Sequence, residues 1–407
     1  MPDDNQRQGT TEYTEKTNKD EYMQSFEFHN PTKIVFGNET IARLADLVPS
    51  DARVLILYGG NSARKNGTLD EVRSALGSRF MQEFGGIEPN PSYETLMQAV
   101  EYIRTEKLDY LLAVGGGSVI DGTKFAAAAV NFPADAWNIL LNHGRNIESA
   151  LPFGTVLTLP ATGSEMNSGS VITRRETNTK LAFMSSHVFP QFSILDSAKT
   201  YTLPPRQIAN GVVDAFVHIT EQYLTYPVGG MVQDRFAEGL LQTLVEIGPK
   251  ALATPEDADV RANLMWTATL ALNGLIGAGV PHDWATHMIG HELTGAYNID
   301  HARTLAIILP ALLNEQRNQK HDKLLQYGQR VWGINSGSED ERITATIEAT
   351  RDFFERMGIP TRLSDYDLGN EAIDLVIKQL EAHGMTQLGE RGDVTPEVSR
   401  RILTAAL

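Results

Sequence analysis

Across residues 26–196, short apolar, β-branched runs alternate with stretches of helical spacing, and the clearest runs stop at glycine or proline. Residues 53–58 run into Gly59-Gly60, residues 110–114 into Gly115-Gly116-Gly117, and residues 154–159 into Pro160. A strand covered on both faces needs no polar alternation, so such runs predict βαβ units around a parallel sheet. After Pro204-Pro205 the apolar positions recur every three or four residues and strand-like runs disappear, which predicts an all-helical second half. Proline cannot continue a helix interior but suits a first turn, so this pair marks the boundary. The expected organisation is a disordered polar tail over 1–24, an α/β domain over 25–203 and a helical domain over 204–407.

At 407 residues with 42% hydrophobic side chains, the chain can bury a large core and fill two domains. Its formal net charge of -16, with no dense Lys/Arg run, argues against nucleic-acid or anionic-membrane partners, which need a positive footprint. Cysteine is absent, which removes disulfides, thiolate metal sites and a cysteine nucleophile, and is compatible with a reducing cytoplasm. The polar N-terminal stretch cannot supply a signal-peptide core, and no apolar run reaches the roughly eighteen residues of a membrane span.

The helical half carries the candidate chemistry. Asp214 and His218 stand four apart, as do His287 and His291, so each pair stacks on one helical face and can reach a single ion. His301 follows within fifteen residues of His287. Imidazoles with a carboxylate suit Zn²⁺, Fe²⁺ or similar first-row ions rather than Ca²⁺, and do not separate zinc from iron. The zinc-protease pattern H-E-x-x-H fails, because Gly295 stands where its second histidine belongs. His282 and Asp283, five and four residues before His287, read as cleft edge or surface.

Two glycine loops follow predicted strands. Gly115-Gly-Gly-Ser-Val-Ile-Asp121 opens a helix, so glycine backbone can approach a pyrophosphate and free helix-start N–H groups can bind it. Ile120 replaces the third glycine of the ordinary dinucleotide fingerprint. After residues 53–58 comes Gly59-Gly-Asn-Ser-Ala-Arg-Lys65, with no acid before Asp70. Small residues, Ser62 and the Arg64-Lys65 pair accept a 2′-phosphate that a carboxylate would repel, favouring NADP(H) over NAD(H). Leu159-Pro-Ala-Thr-Gly-Ser-Glu165 adds hydroxyls at a further strand end.

These stretches, with Phe36-Gly37, Gly85-Gly-Ile-Glu-Pro-Asn-Pro91, Asn210-Gly-Val-Val-Asp-Ala-Phe-Val-His218 and His287-Met-Ile-Gly-His-Glu-Leu293, resemble the iron-containing, or group III metal-dependent, alcohol dehydrogenases. The likeness is closest to the NADPH-dependent aldehyde reductase and butanol dehydrogenase branch, and runs from about residue 26 to the C-terminus. It implies the fold shared with dehydroquinate synthase: an α/β dinucleotide-binding domain followed by an all-α metal-binding domain. It further implies that Asp214, His218, His287 and His301 hold one divalent ion while His291 faces the cleft. Cofactor contacts are implied for Gly59, Gly60, Ser62, Gly116, Gly117, Ser118, Thr158, Thr162, Lys180 and Leu195. The same motifs bring in Asn61, Asn90, Gly115, Asp121 and Ser164 as cofactor-binding candidates. Lys180 by itself reads as a surface lysine.

The expected reaction is metal-assisted hydride transfer between NADP(H) and a small aldehyde or primary alcohol, mainly aldehyde reduction, with His291 relaying a proton. Four protein ligands would close a tetrahedral zinc, so the ion must expand its coordination to take substrate. Phe153, Phe183, Leu272 and Trp284 suggest a lightly polar cleft. The rival readings are a lyase or synthase on the same scaffold and a non-catalytic metal- and nucleotide-binding protein. Few Lys or Arg flank Asp214 and His287, which favours a neutral substrate over a phosphorylated one. A cytoplasmic homodimer is expected from the family.

Overall fold

The computed structural model describes residues 22–407. The strands are β1 (Lys33–Phe36), β2 (Arg53–Tyr58), β3 (Phe80–Phe84), β4 (Tyr110–Gly116), β5 (Phe153–Leu159), β6 (Gly169–Arg174), β7 (Thr179–Met184) and β8 (Phe192–Leu195). Six of them form one sheet in the order β1-β8-β5-β4-β2-β3, every adjacent pair parallel.

The unbroken apolar runs have a direct cause in the way successive side chains divide between two cores. Val54, Ile56, Leu112 and Val114 pack with α1 (Leu44–Leu47), α2 (Ser62–Lys65) and α3 (Thr68–Leu76) on one face. Leu55, Leu57, Leu111 and Ala113 pack with α4 (Tyr93–Glu106), α5 (Gly117–Ala129) and α6 (Trp137–Leu141) on the other. All eight strand residues are fully buried, so truncating one, as in Leu111→Ala, costs about 2–5 kcal/mol.

The antiparallel β6–β7 hairpin lies outside this pattern, with Thr173 opposite Lys180. The sequence reading found no strand there. Its apolar run over residues 181–184 does not stop at glycine or proline as the others do, and its polar turn depends on Asn178 at φ 50°.

The second half is helical: α7 (Pro205–Tyr223), α8 (Met231–Ala253), α9 (Ala258–Ala271), α10 (Ala285–Tyr297), α11 (His301–Glu315), α12 (His321–Val331), α13 (Glu339–Arg356), α14 (Asn370–Ala382) and α15 (Pro396–Ala405). Pro205 occupies the first turn of α7, where its missing N–H loses nothing. From Gly211 to Tyr223 every residue of α7 is buried, so this helix is the axis of the domain and carries its polar side chains into the interior. Gly211 allows the helix to press onto the Pro160 carbonyl, where a Cβ would clash. The expected polar tail lies outside the described residues except for residues 22–24, where the Gln24 N–H donates to the Gly279 carbonyl at 2.9 Å.

Candidate metal and cofactor site

Helix α7 presents Asp214, His218 and Glu221 along one face, α10 presents His287 and His291, and α11 opens with His301. One ligand atom each from Asp214, His218 and His287 lies within 4.8 Å of the others. His301 closes another side, with Nε2 3.9 Å from Asp214 Oδ1, against 3.8 Å for His218 Nε2. The His218 and His287 rings stack at 4.7 Å between centroids, and the His301 ring stands 5.2 Å from that of His287.

Asp214 Oδ1, His218 Nδ1, His287 Nε2 and His301 Nδ1 are all buried without a hydrogen-bond partner. An orphaned polar atom is costly in an interior, and Asp214 Oδ1 and His287 Nε2 lie unpaired where His218 and His301 turn Nε2 toward the same carboxylate, the donor set of a first-row divalent cation. Desolvation holds His218 and His287 down at about 4. His291 and His301 lie well below the usual histidine range, again from desolvation first and then from the Lys180 charge. All four rings are therefore neutral near pH 7, the form that binds metal. The His291 ring lies 4.9 Å from His301 and 6.2 Å from His287, beside the three-residue cluster rather than within it.

Glu221, absent from the sequence expectations, is the hub of this arrangement. Its carboxylate bonds His287 Nδ1 and accepts the Thr286 N–H at 2.6 Å, and its carbonyl accepts the Asp283 N–H at 2.9 Å. Burial and the Asp283 charge raise the Glu221 carboxyl pKa, while the hydrogen bond from Thr286 opposes them. Its position seven residues after Asp214 and three after His218 was a readable signal for the same helical face.

Asp283 is not at the surface. Lys320, just before α12, delivers a buried ammonium 2.9 Å from its carboxylate, and this long-range pairing was invisible in sequence. His282 does stay at an edge, partly exposed, with Nε2 2.9 Å from the Gly277 carbonyl. Phe153 and Phe183 do not line a cleft either. Each is 1% exposed in the core of the α/β domain, whereas Leu272 and Trp284 are half-buried.

The cofactor candidates gather at the carboxyl ends of the parallel strands, where ligands of doubly wound sheets bind. Gly115 and Gly116 end β4, and Gly117 starts α5 so close to Thr162 that an added Cβ would stand 2.6 Å from Thr162 Cγ2. Ser118 Oγ accepts the Asn90 N–H at 3.3 Å, and Asn90 Oδ1 accepts from Lys180 Nζ at 2.9 Å. Asn90 adopts φ 55° to make this link between the glycine turn and the hairpin. Lys180 is thus half-buried and tethered rather than free at the surface. Desolvation lowers it to about 8, against the pull of Asp214 and Asp121.

Gly60, Asn61 and Ser62 are exposed after β2, and Gly59 lies beneath them against the Ile87 carbonyl. Thr158 is half-buried near the end of β5, Thr162 Oγ1 accepts the Ser164 N–H at 3.2 Å, and Leu195 ends β8 fully buried. Asp121 and Ser164 are bonded to each other, and Asp121 also accepts the Val171 N–H at 2.9 Å, tying β6 to α5. Lys124, also missed in sequence, completes this tie from full burial. It donates to Ser164 Oγ at 2.9 Å, Asn167 Oδ1 at 2.8 Å and the Gly169 carbonyl at 2.7 Å.

Glycine turns at the carboxyl ends of parallel strands, together with a buried Asp-His cluster, are the parts a metal-dependent oxidoreductase scaffold requires. The chain belongs to the iron-containing alcohol dehydrogenase family, whose profile matches residues 31–197 and whose C-terminal profile matches residues 208–389. It is 63% identical to the NADPH-dependent aldehyde reductase YqhD of Escherichia coli K12 over 94% of this chain and 100% of that one. A crystal structure of that protein superposes with a TM-score of 0.94 at 62% identity, over 95% of this chain and 100% of the other. The NADH-dependent butanol dehydrogenase A structure of Thermotoga maritima gives 0.90 at 34% identity, over 95% and 99%.

Proposed function

We propose that the chain reduces small aldehydes to primary alcohols with NADPH, using one Zn²⁺ or Fe²⁺ held by Asp214, His218, His287 and His301. The observation that carries this reading is the gathering of one buried ligand atom each from Asp214, His218 and His287 within 4.8 Å of one another, with His301 Nε2 3.9 Å from Asp214 Oδ1. Similarity to an NADPH-dependent aldehyde reductase over the whole of that relative's length supports the choice of substrate and cofactor.

When bound, the metal polarises the carbonyl oxygen and the dinucleotide supplies the hydride. Gly116, Gly117 and Ser118 hold the pyrophosphate at the α5 N-terminus. Gly60 and Ser62 leave room for the 2′-phosphate, and Arg64, half exposed beside Tyr58, supplies positive charge. Lys180, fixed by Asn90, would offer its ammonium to the bound cofactor. Glu221 fixes the His287 tautomer. His291, neutral and outside the ligand cluster, carries a proton between the product oxygen and solvent.

The enzyme acts as a cytoplasmic homodimer with no nucleic-acid or membrane partner. The net charge of -16 speaks against nucleic-acid and anionic-membrane partners, no helix among the described residues is long and apolar enough to cross a membrane, and the homodimer and its compartment rest on the family resemblance alone. Initial rates with butanal, comparing NADPH with NADH at equal concentration, test the reading. A clear NADPH preference is expected, and no turnover of any short aldehyde with either cofactor would end it.

A further inference from the structure

Among the described residues, Trp284 is the one aromatic side chain outside the histidines whose ring meets those of His218 and His287. Its indole meets the His287 ring edge-on at 5.3 Å and the His218 ring at 6.3 Å. It is only half-buried, so the ring is not core filling, and an indole this near two ligands with part of its surface open borders the approach to the ion.

The backbone of Trp284 is also unusual. It sits at φ 63°, ψ 2°, a left-handed conformation that bulky L-residues avoid. Strain of this kind persists only where the surroundings over-determine it, and it clusters at functional positions. Both sides of Trp284 are pinned. Before it, Trp284 Nε1 donates to His282 Nδ1 at 3.3 Å, and His282 Nε2 in turn bonds the Gly277 carbonyl at 2.9 Å. Asp283 Oδ1 accepts the Ala285 N–H at 3.0 Å across the strained residue, while Asp283 Oδ2 pairs with Lys320 at 2.9 Å.

Lys320 has two further partners, Glu390 at 2.8 Å and the Leu224 carbonyl at 2.7 Å. The side chains of Lys320, Asp283 and Glu390 are 2%, 4% and 6% exposed, so this clamp is desolvated and geometrically demanding. After Trp284, the Thr286 N–H is held by Glu221. The chain from His282 to His287 is thus tied at each residue around one strained indole.

Resting on the aldehyde-reductase reading, we propose that Trp284 is the specificity-determining wall of the substrate site, and that the Lys320–Asp283–Glu390 clamp positions it. With the aldehyde oxygen directed to the ion, the carbon next to the carbonyl passes the indole. A flat, rigid wall accepts an unbranched chain lying along it and excludes a branch at that carbon.

The test measures initial rates with NADPH for butanal and 2-ethylbutanal on the metal-loaded wild type, Trp284→Ala and Trp284→Phe. Bound metal and the Kd values of butanamide and 2-ethylbutanamide are measured on the same samples. In Trp284→Ala the kcat/KM ratio of branched over linear aldehyde should rise about 10–100-fold, the range available to a few methylenes in an apolar pocket. The amide Kd ratio should move the same way at unchanged metal content, with Trp284→Phe intermediate. If Trp284→Ala does not fold, Trp284→Phe decides by the same ratio.

Asp283→Asn, which loosens the clamp without altering the indole, should raise that ratio by a smaller factor, and equal losses for both aldehydes would remove the clamp from the proposal. An unchanged ratio in folded, metal-replete Trp284 variants overturns it, as does metal loss with no change in ratio. A metal-loaded wild type that turns over neither aldehyde defeats the functional reading itself. Linear turnover by the wild type with no effect of Trp284 defeats this inference alone.

Discussion

The Nδ1 atom of His287 bonds the carboxylate of Glu221, and that contact determines which ring nitrogen remains for a cation. A carboxylate on one imidazole nitrogen fixes the tautomer and raises the basicity of the other. His287 Nε2, the free nitrogen, is buried without a hydrogen-bond partner.

Glu221→Ala is therefore expected to weaken metal binding by about 10–100-fold while leaving the four proposed ligands in place. Competition with a chelator of known affinity measures it. Equal affinities for wild type and variant would remove Glu221 from the metal site.

Acid should act on the metal-free fold in a defined direction. His218 and His287 are held at about 4 by burial, whereas exposed imidazoles titrate near 6.5. Between these values the unfolded chain takes up more protons, so stability is lost as pH falls from 6.5 through 4. At pH 5 the two rings together account for about 4 kcal/mol. Urea midpoints of the metal-free protein at pH 7 and pH 5 should show this drop, and His218→Gln should reduce it.

Much of this was legible in the chain. Residues 53–58 and 110–114 announced themselves as buried strands because both faces are covered, and Asp214/His218 announced one helical face. The hairpin that carries Lys180 was not legible, because its stability comes from Ser170, Ile172 and Val171 packing and bonding against α5 rather than from its own pattern. Phe153 and Phe183 misled because a sequence shows that an aromatic is apolar, not which side of a sheet it faces. Asp283 misled because its partner Lys320 is 37 residues away in sequence.

Gly117 allows the helix start to touch Thr162, and a Cβ there would stand 2.6 Å from Thr162 Cγ2. Gly117→Ala should push α5 away from the cofactor and raise KM for NADPH about tenfold or more, corresponding to about 1.4 kcal/mol of lost binding. A KM within twofold of wild type would contradict this role for the turn.

Gly59 and Gly60 differ as places to change cofactor preference. A Cβ on Gly59 would lie 3.1 Å from the Ile87 carbonyl, whereas one on Gly60 meets nothing within 4 Å. Gly60→Asp therefore adds the missing carboxylate without steric cost and should lower kcat/KM for NADPH relative to NADH by about tenfold through repulsion of the 2′-phosphate. An unchanged ratio would place the 2′-phosphate elsewhere.

The central claim is that Asp214, His218, His287 and His301 hold an ion on which aldehyde reduction depends. The direct measurement follows NADPH absorbance with butanal for chelator-stripped protein before and after adding Zn²⁺ or Fe²⁺, alongside an Asp214→Ala, His218→Ala double variant. The account predicts no NADPH loss without metal, recovery on addition of one equivalent, and no recovery in the variant. Full activity in the stripped protein, or in the variant, would contradict it.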